Sequence, residues 1–356
     1  MKKHILLFLI ILLLTTPVYA LADETVPTDW GSNQIDIQYE LSQKHYVKLQ
    51  AGKTYYLHSY LRLDSNYTLD ATGATIIVSG GATRNSRYTT DYSSMSNIRI
   101  KGGTWLSSNS QGNSGTAFSF AHCSNIVLEN MDIRTSNAEG HAIELVGCRG
   151  VTIRNCKVFA QGSGKNKSVE EMIQIDLAAP ATAPFLSSVY QNGLACKNIT
   201  ITGCTVSGNR GICANYANAD KKFRNSYHDN IVITNNYIIG NKAEGLALFN
   251  TNNAKVTGNT IISNSKRLKE SYSVGCHLAM FGKAKKAFKK GTITIRNNTI
   301  KGGKAGFQIA SHTKTKYGKV VIKNNKLYCK KGKKNALKVY SGIKRKVKKN
   351  KLRKWK

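Results

Sequence analysis

The sequence predicts an all-β solenoid, a parallel β-helix with three short strands in each coil, and two repeated phrases carry that prediction. One phrase recurs along the chain as NIRIKGGTW, NIVLENMDI, GVTIRNCKV, NITITGCTV, NIVITNNYI, NAKVTGNTI, GTITIRNNTI and KVVIKNNKL. Each copy is an alternating strand, a two-residue break and a second alternating strand. Copies begin roughly 24 to 37 residues apart, with one doubled gap between Gly150 and Asn198, the period of a unit that buries its apolar face by stacking. A second phrase precedes most copies: TAFSFAH, HAIELVG, EMIQIDL, GICANY, GLALFN, CHLAMF, AGFQIAS and ALKVYS. It supplies the remaining strand of each coil, and EMIQIDL fills the doubled gap.

The breaks explain how the chain turns between strands. Their first position reads Gly102, Asn130, Asn155, Gly203, Asn235, Gly258, Asn297 and Asn324. Gly and Asn are the residues that tolerate left-handed backbone angles, which a tight bend demands. The second position reads Gly103, Met131, Cys156, Cys204, Asn236, Asn259, Asn298 and Asn325. Stacked one coil apart, the last four predict an amide ladder.

The ends differ from the repeats. Lys2, Lys3 and His4 precede the apolar run Ile5–Leu14, and Val18-Tyr19-Ala20 is a small-residue cleavage pattern, so residues 1–20 read as a secretory signal. Residues 21–46 read as an N-terminal cap with a helix near Asn33–Gln43, residues 47–342 as the solenoid, and residues 343–356 as a basic tail or last coil. Every acidic residue lies at or before Glu270, while Ser271–Lys356 holds 27 Lys plus Arg, so that segment carries +27 of the total charge of +34. Such a field implies an anionic polymer as partner. For an exported monomer that means an acidic polysaccharide or cell-wall polymer; without a recognition helix, nucleic acid is not expected. No apolar run after the leader is long enough to span a bilayer.

Cys123, Cys148 and Cys196 share one register, and Cys156 and Cys204 share another. Disulfides are the default in an exported chain; stacked buried thiols are the alternative. No C-x-x-C spacing suggests structural zinc.

VKLQAGKTYYLHSYLRLDSNYTLDATGATI, Val47–Ile76, resembles the first-coil segment of the pectin-lyase-like, polygalacturonase-like right-handed β-helix superfamily. The resemblance covers nearly the whole chain after the leader. It implies a right-handed coil, an N-terminal capping helix and a groove over the sheet that the second phrase builds. The superfamily hosts lyases, hydrolases, epimerases, esterases and adhesins, so the fold alone does not choose among them. The Asn-Thr-Asp, Asp-Asp, Gly-His-Gly and Arg-Ile-Lys signatures of polygalacturonases are absent, as is the mannuronan epimerase signature.

Alternation on the second-phrase strands turns Ser119, Glu144, Gln174, Asp176 and Asn215 outward, with His277 and Gln308 on later coils. The longest loops flank the same strands, and long loops on a regular scaffold are commonly functional. Asp176, Glu144 and His228 are therefore the candidate catalytic residues. His141, Glu171, Gln174, Asn215, Tyr190, Lys165, Lys221 and Arg224 are the candidate substrate contacts. His141 and Glu171 hold equivalent places in successive coils. Asp176 has a competing role as a cap of its own loop.

Two reactions fit such a groove. An inverting glycoside hydrolase would use Glu144 and Asp176, which strand spacing separates by roughly 8 Å. A lyase would neutralise a uronate carboxylate and abstract its C5 proton with a basic side chain. The basic charge favours the lyase on an acidic polysaccharide. Calcium, bridged by Asp176, Glu144 and Asn215, is a conceivable helper, since hard oxygen ligands suit it. A non-catalytic glycan-binding surface protein is the third expectation.

Overall fold

The computed structural model describes residues 30–107, 117–135, 141–160, 171–217, 221–223, 225–282, 291–312 and 317–356. Helix α1, Trp30–Lys44, leads into three long parallel sheets. The first sheet has 11 strands, from β1 (Tyr46–Lys48) to β31 (Arg345–Lys348), and the second has 11, from β2 (Thr54–Leu57) to β32 (Lys351–Lys354). The third has 10, from β3 (Leu61–Leu63) to β30 (Leu337–Val339). Each strand pairs with its equivalents one coil before and after, so the order within every sheet follows the chain.

All eight predicted first-break residues adopt positive φ, from 54° at Asn155 to 75° at Gly258. Asn97, Asn125, Asn198 and Asn230 do the same at the start of their phrases, a second left-handed column. At the second break position, the Nδ2 groups of Asn236, Asn259 and Asn298 donate to Oδ1 of the next coil's Asn at 2.9 to 3.0 Å. Each also donates to a backbone carbonyl, as Asn259 does to Ile233 O at 2.8 Å. Asn350 continues the ladder one coil further, accepting from Asn325 Nδ2 at 2.8 Å. The amides of Asn236, Asn259, Asn298 and Asn325 are buried and satisfied, the condition under which a polar core stabilises rather than costs.

The cysteines take the other course. All eight are free and buried. Cys196 Sγ accepts from the Cys148 backbone at 3.3 Å, and Cys204 Sγ accepts from the Cys156 backbone at 3.4 Å. The thiols thus occupy ladder positions as small, weakly bonding core residues.

The helix closes the N-terminal end. Ile37 and Leu41 are buried against the first coil, and two glutamines satisfy the open edge of the third sheet. Gln34 Oε1 accepts from Ser59 N at 2.9 Å, and Gln38 Oε1 accepts from Arg62 N at 2.7 Å. A sheet edge left bare would template further pairing. At the other end, residues 345–348 and 351–354 pair with the preceding coil along both remaining sheets.

Candidate functional site

The outward column of the third sheet runs, in register, through Ser119, Glu144, Gln174, Cys213, Ala247, His277, Gln308 and Lys338. Ile143 and Leu145, or Ile173 and Ile175, alternate with it and fill the core. Glu144 is only 7% exposed and accepts a hydrogen bond from Ser119 Oγ at 2.9 Å. Burial raises its carboxyl pKa, against the opposing pull of His141, Ser119 and Arg84. Arg84 lies over the Tyr60 ring at 4.0 Å and is in register with Arg62, which gives this end of the face two guanidinium groups.

A chain of buried polar groups runs along the axis beside that column. His141 Nδ1 lies 2.9 Å from the Glu171 carbonyl and 3.7 Å from Glu171 Oε2. Arg210 Nη1 donates to Glu171 Oε1 at 2.5 Å, while its Nε donates to Glu244 Oε2 at 3.0 Å. Glu244 Oε1 meets His277 Nδ1 at 3.0 Å, and His277 Nε2 meets Gln308 Nε2 at 3.1 Å. Burial opposes the charge on Arg210, but the two carboxylates outweigh it and hold the guanidinium firmly protonated. Burial likewise opposes ionisation of Glu244, and Arg210 reverses the balance. The adjacency expected of His141 and Glu171 is present. Arg210 and Glu244 were missed by the sequence reading, because they precede the alternating part of their strands. Their signal was positional: each stands two residues before the first inward Ile or Leu, as Glu171 does.

Asp176 is not on an open floor. It is fully buried and in register with Val146, whereas Glu144 is in register with Gln174. Residues 178–193 form a loop whose neck closes through Ala178 N to Leu194 O at 2.9 Å and Gly193 N to Ala178 O at 2.7 Å. Its residues Ala183 and Leu186 pack with Ala121, Val146 and Ala178, flanked by Phe185 and Tyr190. Gly193 is required at the neck: its φ is +79°, and a Cβ there would sit 2.3 Å from the Phe223 ring. Neither carboxylate oxygen of Asp176 makes a hydrogen bond of good geometry among the described residues. Burial, then the charges of Glu144 and Glu171, push its pKa well up, and the nearby Asn215 amide offsets this only in part. The expected pairing of Glu144 and Asp176 across an open groove is therefore corrected: alternation gave the side of the sheet, but the loop covers it.

His228 is also corrected. It is fully buried, its Nδ1 accepts from Cys196 N at 3.2 Å, and its Nε2 donates to Asn215 O at 2.8 Å. Burial, against the bond to Asn215, lowers its pKa to about 4, so it is a neutral brace rather than a wall base. Asn215 Oδ1 accepts from Cys213 Sγ at 3.1 Å. With Asp176 enclosed and Glu144 engaged by Ser119, these three residues do not make the many-oxygen shell calcium takes. No cluster of three His, Cys, Asp or Glu suited to a metal occurs among the described residues. Tyr190 packs on the covering loop, 5.7 Å from the Tyr88 ring, rather than reaching across the face. Gln174 is 7% exposed in the outward column. Lys165, Arg224 and the side chain of Lys221 lie outside the described residues.

Further along, aromatic rings line the turn after the third-sheet strands. Tyr216 stacks on Phe281 at 3.9 Å, and Phe281 stacks on His312 at 4.9 Å. Phe249 is tucked behind them, edge-on to Tyr216 at 5.5 Å and to His277 at 5.3 Å. A cluster of aromatic rings thus borders the polar outward column of the third sheet.

Residues 186–352 match a family described as a right handed beta helix region. The chain is a right-handed parallel β-helix. Among solved structures, this β-helix is similar to the surface adhesin PfbA of Streptococcus pneumoniae, at 16% identity and TM-score 0.60 over 93% of this chain and 96% of that one. It is also similar to the endo-xylogalacturonan hydrolase of Aspergillus tubingensis, at 14% identity and TM-score 0.54 over 90% of this chain and 89% of that one. No curated protein matches its sequence. No helix among the described residues is long and apolar enough to cross a membrane.

Proposed function

We propose that the β-helix is an extracellular protein that binds an acidic polysaccharide across the third sheet and cleaves it by β-elimination beside Glu144. The observation carrying this reading is the setting of Glu144, a carboxyl on the outward column whose protonated form is favoured by burial, with His141 and Arg84 close enough to act on its charge. In the reaction, His141 takes the C5 proton of a uronate residue. The freed electron pair forms the C4–C5 double bond, the C4–O bond breaks, and Glu144 gives its proton to the leaving oxygen. Arg84 offsets the uronate carboxylate, and solvent returns the proton from His141 to Glu144.

Elimination is favoured over hydrolysis by the state of the other carboxyls. An inverting hydrolase needs a second free carboxylate to activate water. Asp176 is enclosed, and Glu171 and Glu244 are both bound to Arg210. A charge of +34 suits an anionic polymer, and one similar structure belongs to a hydrolase of a galacturonan. A second reading, binding without cleavage, is favoured by the scarcity of free carboxyls and by the likeness to an adhesin. The leader sequence and the surface location of that adhesin support an exported protein.

The test is Glu144→Gln, assayed on uronate polymers by the ultraviolet absorbance of the unsaturated product and by polymer retention. Loss of an acid–base group should lower the rate at least about a hundredfold, while retention stays unchanged. New reducing ends without unsaturated product would replace elimination by hydrolysis. Retention by the wild type with neither product would leave the binding reading.

A further inference from the structure

We infer that the C-terminal end of the third sheet holds a second subsite for an acidic sugar residue, with an aromatic wall on one side and a lysine wall on the other. This rests on the reading that an acidic polysaccharide lies along the sheet. Its position follows from the register. Glu144, Gln174, Cys213, Ala247 and His277 are successive members of one column. Four strand steps of about 4.8 Å put His277 roughly 19 Å from Glu144. The subsite is therefore remote from the reacting bond, and a polymer is needed to fill both.

The aromatic wall is the stack of Phe281 and His312, backed by Phe249. His312 is exposed, so part of the stack faces solvent. The other wall is cationic. Lys338 is in register with Gln308 at the end of the column, and Lys304 opens the preceding strand. Lys304 has its ammonium pKa lowered, first by partial burial and then by the repulsion of Lys338 and Lys331. Like charges are thus held together at this spot, with Glu244 only partly countering them. Between the walls, Gln308 is 3% exposed, its amide nitrogen engaged by His277 and its Oε1 left without a hydrogen-bond partner among the described residues. An acidic pyranose answers each feature. Its C–H surface packs on the rings, its carboxylate relieves the lysine repulsion, and a hydroxyl supplies the donor Gln308 lacks once the amide shifts. A neutral sugar would leave the lysines unanswered, and a small inorganic anion would leave the rings unused.

The experiment uses the full chain, with sodium polygalacturonate and digalacturonate as probes. Lys304→Gln/Lys338→Gln alters side chains that are only partly buried, and His312→Ala alters an exposed one, so both variants should fold. Each should weaken polygalacturonate binding, the lysine pair by about tenfold from two charge contacts, with a flatter salt dependence. Neither should change binding of digalacturonate at Glu144, which is too short to bridge the two places. Should both variants bind polymer like wild type while Glu144→Gln still abolishes cleavage, the subsite is overturned and the Glu144 reading stands. Polymer binding lost in the variants, with no unsaturated product from wild type, keeps the subsite and removes the elimination. A wild-type chain that retains no polygalacturonate overturns both.

Discussion

Two regions of the third sheet bury ionisable side chains in opposite ways. Near the covering loop, Asp176 and His228 lie fully enclosed with no opposite charge bonded to them. Glu171 at the start of the strand that ends in Asp176, Arg210 one coil on and Glu244 two coils on are buried too, but they bond to one another. The first region meets burial by shifting pKa values away from the charged forms, up at Asp176 and down at His228; the second keeps its groups charged by pairing. A buried charge survives only with a partner in place, and where none is supplied the proton equilibrium gives way instead. The contrast also separates roles: His228 ties Cys196 N to Asn215 O, while the charged set bonds His277 and lies against His141.

Breaking the paired region should have the largest effect. Arg210→Met leaves two buried carboxylates facing each other, and removal of one partner from a buried ion network typically costs about 3 to 5 kcal/mol. Chemical unfolding would measure it. The triple variant Glu171→Gln/Arg210→Met/Glu244→Gln should recover most of that loss, and failure to do so would show that shape, not charge, holds this region.

His228 gives the next largest change. Its folded pKa falls from 6.5 to about 4, so the folded state binds fewer protons than the unfolded chain. Its contribution is complete above pH 6.5 and is lost as pH falls toward 4, a difference of about 3 kcal/mol at 1.36 kcal/mol per pH unit. In His228→Gln, the drop in stability between those pH values should shrink by that amount. An unchanged acid limb would assign the loss to other groups.

Asp176 works in the reverse sense. Its folded pKa is raised, so its favourable contribution is complete below the ordinary value of 3.8 and is lost as pH rises from there toward the raised value. Over pH 4 to 5 that loss partly masks the opposite slope of His228. Asp176→Asn should therefore steepen the gain in stability with rising pH over this range, read from melting temperatures. Its activity on polymer should stay near wild type, since the group does not reach the groove; a hundredfold fall would restore it to the reaction.

The fold was legible because its determinants repeat. Each break carries Gly or Asn where φ must be positive, and each strand alternates, so every coil states the same geometry independently. Glu144, Gln174, His277 and Gln308 were legible for the same reason, as outward members of alternating strands. Arg210 and Glu244 escaped because they stand at a corner, where alternation no longer gives direction. His228 reads like a wall residue in sequence, since nothing local shows that Cys196 N and Asn215 O will meet its ring from two other segments.

Sequence by itself determined the strands, their order and which side chains stack, because these depend on backbone angles and a two-residue period within a few neighbours. Only the tertiary structure decided which of the outward groups remain available. The loop after Asp176 folds back over it through the neck at Ala178 and Gly193, and Arg210 reaches carboxylates 39 residues before it and 34 after it. Burial and charge pairing are set by segments that stacking alone brings together, and they decide whether a carboxyl is held as a paired anion or sealed away with its pKa raised.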